Sequence, residues 1–140
     1  MQSRMILALV ATAATACAPA TPSELEGDWL VQQIAGASLN ADERIYFSID
    51  GETMRGFTGC NEFTASVTQF SNTVSISNVT EIDAACASEA AATNEARLLG
   101  VLPSVTRFAR HGASLQLLGD RALPDALVLA RTDSFAELTE

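Results

Sequence analysis

The stretch GFTGCNEF, residues 56–63, decides how this chain bends and what its cysteines do. It contains two glycines, two phenylalanines and Cys60, within a longer run of alternating polar and apolar residues. Glycine permits positive φ angles and close backbone approach, so Gly56 and Gly59 predict a sharp bend in a β-sheet. Cys60 is open to four interpretations: a nucleophile, a metal ligand, part of an anion-binding loop, or half of a disulfide at a backbone corner.

The N-terminus predicts export from the cytoplasm, and we interpret residues 1–16 as a signal peptide. Arg4 precedes the apolar run of residues 5–13, which is shorter than the roughly 20 residues that a transmembrane helix needs. Residues 14–16 (ATA) fit ordinary cleavage, and together with Cys17 they also resemble a bacterial lipobox. We favour acylation of Cys17, which makes it the first residue of the mature chain; cleavage without acylation is the alternative.

The rest of the chain predicts one domain on a short tether. Residues 17–24 contain Pro19 and Pro22 among residues with nothing to bury, which is typical of a spacer. We place the domain at residues 25–133, a length that suffices for one hydrophobic core, and expect the tail at residues 134–140 to fray. We expect the protein to be a monomer.

The charge balance is strongly acidic. The chain has 8 basic residues, all of them arginine, against 17 acidic ones, for a net charge of −9. Without a basic patch we expect no nucleic-acid partner and no electrostatic hold on anionic lipids. The acidity favours solubility outside the cytoplasm. We therefore expect an outer-membrane lipoprotein that faces the periplasm, or a soluble periplasmic or secreted protein if Cys17 is not acylated.

Hydrophobic periodicity predicts two groups of strands with one helix between them. Alternating residues indicate strands at 28–34, 44–49, 53–59, 62–70 and 73–79, and again at 105–109, 114–118 and 126–130. Residues 87–102 are rich in helix formers, and Pro103 is expected to end that helix. The order predicts an α+β fold: a strongly curved antiparallel sheet or partly open barrel with one packed α-helix.

A disulfide is the interpretation of Cys60 that we favour. Export places Cys60 and Cys86 in an oxidising compartment, where two such thiols tend to pair. Closing a loop of this length stabilises the fold by about 3.5 kcal/mol in the chain-entropy model. The disulfide would fasten the bend at Gly59, where glycine supplies either a positive φ or room for close packing, to the start of the helix. Asn61 is then expected to hydrogen-bond the neighbouring backbone.

The other interpretations of the stretch lack essential groups. A cysteine nucleophile needs a base, and the chain's single histidine, His111, lies in a predicted turn. A closed zinc site needs four ligands, more than one histidine and two thiols supply. No lysine or helix follows the glycines as in a phosphate loop. Several carboxylates are better interpreted as a solvated face than as acid–base catalysts: Asp28, Glu62 and Asp83. We expect no catalytic residue, metal or cofactor.

Several short patterns occur together in an order that resembles META-domain proteins of the HslJ type, which are heat-inducible bacterial lipoproteins. The patterns are Leu25-x-Gly27-x-Trp29, Gly59-Cys60-Asn61-x-Phe63, Ala85-Cys86 and Glu95-x-x-Leu98-Leu99. The resemblance implies a small extracytoplasmic domain, an outer-membrane or cell-surface location, and a loose link to stress, secretion or drug resistance. It implies no catalytic residue. This chain departs from the pattern at Ala65, where glycine is common, and at residues 82–85, where threonine and methionine are usual.

The function that we expect is non-enzymatic. A cell-envelope lipoprotein that binds a protein or small ligand is the favoured hypothesis. The alternative is an inhibitor of a secreted protease that uses residues 18–27 as an extended arm. A carrier with an open interior is disfavoured, because large side chains are expected to fill that interior: Trp29, Phe47, Phe57 and Phe63.

Overall fold

The computed structural model describes residues 23–133, so the predicted signal peptide, most of the tether and the tail lie outside the described residues. The described part contains nine strands and one α-helix. In chain order they are β1 (Gly27–Ile34), β2 (Ala37–Ser38), β3 (Tyr46–Asp50), β4 (Thr53–Phe57), β5 (Glu62–Phe70), β6 (Thr73–Glu81), α1 (Glu89–Val101), β7 (Arg107–His111), β8 (Ser114–Leu118) and β9 (Leu127–Thr132).

The strands form one antiparallel sheet that curves into a ring. Its order is β2-β1-β3-β4-β5-β6-β7-β8-β9, and β1 also pairs with β9, which brings the two sides of the sheet together. The pairing is thinnest between β6 and β7, where one residue pair, Thr73 with Arg107, forms the ladder. The α+β class with a strongly curved antiparallel sheet and one helix is confirmed.

The core follows from the alternation of the strands and from one face of the helix. Inward-facing residues of the strands and the buried apolar residues of α1, Leu98 and Val101, belong to one hydrophobic cluster. Of the large side chains expected inside, three are buried: Trp29, Phe47 and Phe63. Burial of this kind contributes about 1.5–3 kcal/mol for each large apolar side chain.

The helix is shorter than the predicted span of residues 87–102. It begins at Glu89 because the Ser88 side chain caps it, accepting a hydrogen bond from the Ala91 amide at 3.1 Å. Glu89 lies in the first turn, where a carboxylate interacts favourably with the helix dipole. After Val101 the chain continues as a 3₁₀ turn, Leu102–Ser104, which accommodates the proline at position 103.

Two further details differ from the sequence-based expectations. The two-residue strand β2 was not expected, because so short a segment has no detectable periodicity. Phe57 was expected to face inward, but it lies half-buried on the outer face, where its ring contacts that of Tyr46. Gly56 takes the inward position of β4 instead, so its neighbour must point outward.

Gly56 is the glycine with the least space for a side chain. In register it lies between Phe47 of β3 and Phe63 of β5. A Cβ atom at Gly56 would stand 2.3 Å from the Tyr46 carbonyl oxygen and 2.5 Å from the Phe47 Cβ. The space beside Gly56 allows the two phenylalanine rings to meet edge to face, with centroids 6.4 Å apart.

Gly56→Ala is therefore expected to lower the free energy of unfolding by about 3 kcal/mol, because backbone atoms must move to admit the methyl group. Gly100→Ala is the matched control: Gly100 lies in α1 with open space around it, so the same change is expected to stabilise by about 0.5–1 kcal/mol. Urea unfolding of both variants measures the difference. A Gly56→Ala protein as stable as the parent would contradict this account of the bend.

Candidate functional site

The corner between β4 and β5 is built by Thr58, Gly59, Cys60 and Asn61. Gly59 has a φ of +90°, which glycine adopts without strain. The Thr58 amide donates to the Asn61 carbonyl at 2.9 Å, and the Thr58 hydroxyl accepts from the amides of Asn61 (2.9 Å) and Cys60 (3.2 Å). These bonds satisfy the backbone of a tight turn, which explains why the fully buried Thr58 tolerates its position.

The side chain of Asn61 joins this corner to the chain that leads into the helix. Its amide oxygen accepts from the Ala84 N–H at 3.2 Å, and its Nδ2 donates to the Ala84 carbonyl at 3.0 Å. The same Nδ2 lies 3.0 and 3.1 Å from the two carboxylate oxygens of Glu95 on α1. Thr58 donates its hydroxyl proton to Glu95 as well. One buried asparagine thus connects the sheet, the connecting segment and the helix.

The predicted disulfide between Cys60 and Cys86 is present, with an S–S distance of 2.10 Å and Cα atoms 5.1 Å apart. It connects the same two parts of the chain as the Asn61 side chain. The two links act on different states, however. A disulfide stabilises mainly by restricting the unfolded chain, whereas the hydrogen bonds of Asn61 define the folded geometry.

The cysteines and Glu95 at this corner have a structural role. The sulfur atoms of Cys60 and Cys86 and a carboxylate oxygen of Glu95 lie within 4.8 Å of one another, a spacing that could serve a metal ion. The sulfurs are bonded to each other, however, so neither offers the thiolate that a metal or a nucleophilic reaction needs. Glu95 is held by hydrogen bonds from Thr58 and Asn61. The donor set does not fit a metal while the disulfide is intact.

The remaining residues singled out from the sequence are spread over the ring. Trp29 is fully buried; its Nε1 donates to the Leu25 carbonyl at 2.8 Å, and the guanidinium carbons of Arg110 and Arg131 lie 5.4 and 5.8 Å from the Trp29 ring. His111 is exposed at the end of β7. Cys17 lies outside the described residues. The carboxylate candidates are exposed or half-buried and belong to different elements: Asp28, Glu62 and Asp83.

A groove lies on the outer face of the sheet, beside the corner. Its volume is about 390 Å³, and it runs over strands β3 to β6 and the one residue after β6. The rings of Tyr46 and Phe57, 5.7 Å apart, form part of its wall. Ile82 lines it as well, although 61% of this side chain is exposed to water. The groove therefore combines an aromatic pair with an aliphatic side chain.

Carboxylates outnumber cations around this groove. Glu62 and Glu81 line it together with one guanidinium, that of Arg55. Glu81 is exposed, yet local desolvation raises its pKa above the usual value for glutamate, and the nearby carboxylates of Glu95 and Asp83 raise it further. The end of the groove near Glu81 is therefore negatively charged and crowded with like charges.

Sequence reasoning missed the groove and the roles of Thr58 and Glu95. Thr58 carried a usable signal, because a threonine before a glycine-containing turn often bonds the following backbone. In the sequence, Glu95 was noted only as part of the Glu95-x-x-Leu98-Leu99 pattern, yet it lies in the middle of α1 and faces the corner. Among the described residues, no helix is both long and apolar enough to cross a membrane.

The comparisons with known proteins agree with this architecture. The family model for the META domain matches residues 7–133, which is most of the chain. The chain belongs to the META-domain family. The META resemblance inferred from the G-C-N and A-C patterns is thus confirmed, and these patterns form the corner of the META domain described above.

Two solved structures resemble this META domain. One is an NMR structure of a protein from Burkholderia xenovorans, 20% identical over 88% of this chain and 97% of that chain, with a TM-score of 0.65. A second NMR structure is 13% identical over 83% of this chain and 94% of that chain, with a TM-score of 0.61. Similarity at these identities supports the fold alone. A search of curated proteins gives no significant match.

Asn61→Ala is expected to destabilise the META domain by about 2–3 kcal/mol, because it removes hydrogen bonds to a carboxylate and to the backbone. Asn72→Ala is the matched control, since Asn72 lies in the exposed turn between β5 and β6, and a change within about 0.5 kcal/mol is expected there. Thermal or urea unfolding of the oxidised proteins gives both values. Equal stabilities of the two variants would refute the role assigned to Asn61.

Proposed function

We propose that this META-domain protein is a monomeric, non-enzymatic lipoprotein of the cell envelope, acylated at Cys17, that binds a small amphiphilic cation. The observation that carries the binding proposal is the outer-face groove, in which the rings of Tyr46 and Phe57 lie beside carboxylates. Such a role is compatible with the function in envelope stress, secretion or drug resistance that the HslJ resemblance implies.

The apolar part of the groove supplies the attraction for an alkyl or aryl group. Tyr46 and Phe57 present half-buried rings on the outer face, and Ile82 leaves 61% of its surface in water. Each methylene of a ligand that leaves water in such a groove contributes about 0.8 kcal/mol. A ligand with several methylenes or one ring can therefore be held with measurable affinity.

The charges of the groove select a cationic head group. The carboxylates of Glu62 and Glu81 line the groove, and those of Asp83 and Glu95 lie close to Glu81, against one guanidinium from Arg55. A bound cation would relieve the repulsion among these carboxylates and could also interact with the aromatic rings. An anion of the same size would be repelled. The acidic net charge of the whole chain also favours a cation over an anion.

The non-enzymatic part of the proposal is supported by the corner. The two cysteine sulfurs are joined, and the Glu95 carboxylate accepts hydrogen bonds from Thr58 and Asn61. These groups hold the backbone next to the groove in place. A protease-inhibitor role depends instead on residues 18–27, half of which lie outside the described residues.

The test is a titration of the unacylated Cys17→Ser protein, followed by NMR, with decyltrimethylammonium and decanoate as probes. We expect the cation to shift the resonances of Tyr46 and Phe57 and to bind at least about tenfold more tightly than the anion, a difference of about 1.4 kcal/mol. Ile82→Ser should weaken cation binding several-fold, because it removes an apolar side chain from the wall of the groove. Glu81→Gln should weaken binding of the cation but not binding of the anion.

Phe70→Ser is the matched control for this titration. Phe70 is another exposed apolar residue, 84% accessible, but it is not among the residues that line the groove. We expect this variant to bind both probes like the parent. Equal affinities for the two probes, or equal losses in Ile82→Ser and Phe70→Ser, would contradict the groove as a site for amphiphilic cations.

A further inference from the structure

We infer that the end of the ring that carries Phe70 rests on the membrane surface, with the Phe70 ring among neutral lipid headgroups. This inference rests on the proposed acylation of Cys17. It adds an orientation to the lipoprotein: the Phe70 end faces the bilayer, and the groove and the disulfide corner lie at the opposite end of the β5–β6 hairpin.

Phe70 is the first observation. It is the last residue of β5, at the tip of the hairpin with β6, and 84% of its side chain is exposed to water. Ser71 follows in a tight turn with a φ of +54°. Moving such a ring out of water is favourable by about 1.5–3 kcal/mol, so an apolar or interfacial environment is preferred.

The second observation is where the tether enters the domain. Ser23, the first described residue, donates its hydroxyl proton to the side-chain oxygen of Gln69, the neighbour of Phe70. The Ser23 hydroxyl also accepts from the Leu25 amide at 3.1 Å, so Ser23 is held on both sides. Only residues 18–22 separate Ser23 from Cys17, and six residue steps reach at most about 20 Å. An acylated Cys17 therefore keeps the Phe70 end near the bilayer.

The groove lies at the other end of the same hairpin. Glu62 begins β5 and its carbonyl accepts from the Ile82 amide at 3.1 Å, so Ile82 lies beside the start of β5. From Glu62 to Phe70 the strand extends about 26 Å at the usual rise per residue. The Phe70 end is thus the one that a short tether brings to the surface, and the groove stays open to the surrounding water.

The charges at the Phe70 end decide which lipids it can touch. Glu24 and Glu26 lie next to Ser23, together with the β3–β4 turn at Gly51. Two arginines lie at this end as well: Arg110 donates to the Glu24 carbonyl at 2.8 Å, and Arg107 pairs with Thr73 in register. The carboxylates disfavour contact with anionic lipid, so a zwitterionic surface such as phosphatidylethanolamine is the partner that we infer.

The Phe70 ring by itself is not sufficient to hold the protein on a membrane. The transfer energy of one phenyl ring gives only weak binding to a free membrane. The anchor changes this, because a short tether holds the ring at an effective concentration of about millimolar or higher near the interface. We therefore expect contact of Phe70 with lipid in the acylated protein only.

The experiment compares Phe70→Trp with Ile82→Trp, two exposed sites at opposite ends of the hairpin. Each full-length variant is purified from membranes and placed in phosphatidylethanolamine–phosphatidylcholine vesicles that contain brominated lipid, which quenches nearby indoles. The parent protein reports quenching of the buried Trp29 alone. We expect the Phe70→Trp emission to be quenched at least about twofold more than that of Ile82→Trp or of the parent. Anionic lipid should reduce this difference.

Intact mass of each preparation and the Cys17→Ser form of Phe70→Trp separate the possible failures. If the mass shows acylation and Phe70→Trp is quenched no more than Ile82→Trp, the inferred orientation is wrong, whereas the proposed acylation of Cys17 is supported. Stronger quenching at position 82 would reverse the orientation. If the mass shows no acyl chain, the proposed anchor fails and the inference fails with it. Quenching that persists in the Cys17→Ser form would also overturn it, because contact would not require the anchor.

Discussion

The hydrogen bonds from the Asn61 side chain to Ala84 and Glu95 are the constraint on which the rest of this structure depends. The sheet closes into a ring, but its ladder is thinnest between β6 and β7. The chain between those strands contains α1, whose buried residues complete the core. Asn61 holds the start of this connection, and through Glu95 the helix itself, against the corner of the sheet. The Cys60–Cys86 disulfide connects the same two parts of the chain, but it mainly restricts the unfolded chain.

The same corner supports the groove. Gly56 allows Phe47 and Phe63 to meet inside the ring and forces Phe57 to point outward, where it pairs with Tyr46. A turn satisfied by its own hydrogen bonds then holds the strand ends at this position. At the far end of the β5–β6 hairpin, Ser23 contacts Gln69 beside Phe70. The domain thus has two different ends, one next to the tether and one next to the groove.

Much of the fold could be predicted from the sequence, because strands with one buried face carry a period of two and the helix carries its own spacing. The pairing of Cys60 with Cys86 followed from the oxidising compartment that we expected. The outward position of Phe57 could not be predicted, since glycines on both sides of it leave the phase of the alternation undefined, and a shift of one residue changes the face. The hydrogen bonds that Glu95 accepts from Thr58 and Asn61 could not be predicted either, because they depend on tertiary contact.

The most direct test of the central claim is hydrogen exchange of the Asn61 side-chain NH₂ protons, measured by NMR in the disulfide-free Cys60→Ala/Cys86→Ala protein. If the polar contacts of Asn61 define the folded corner, these protons remain protected in the folded protein although its overall stability is lower. Exchange at the rate of a free amide, while the amides of the ring stay protected, would show that the covalent bond alone holds the corner together.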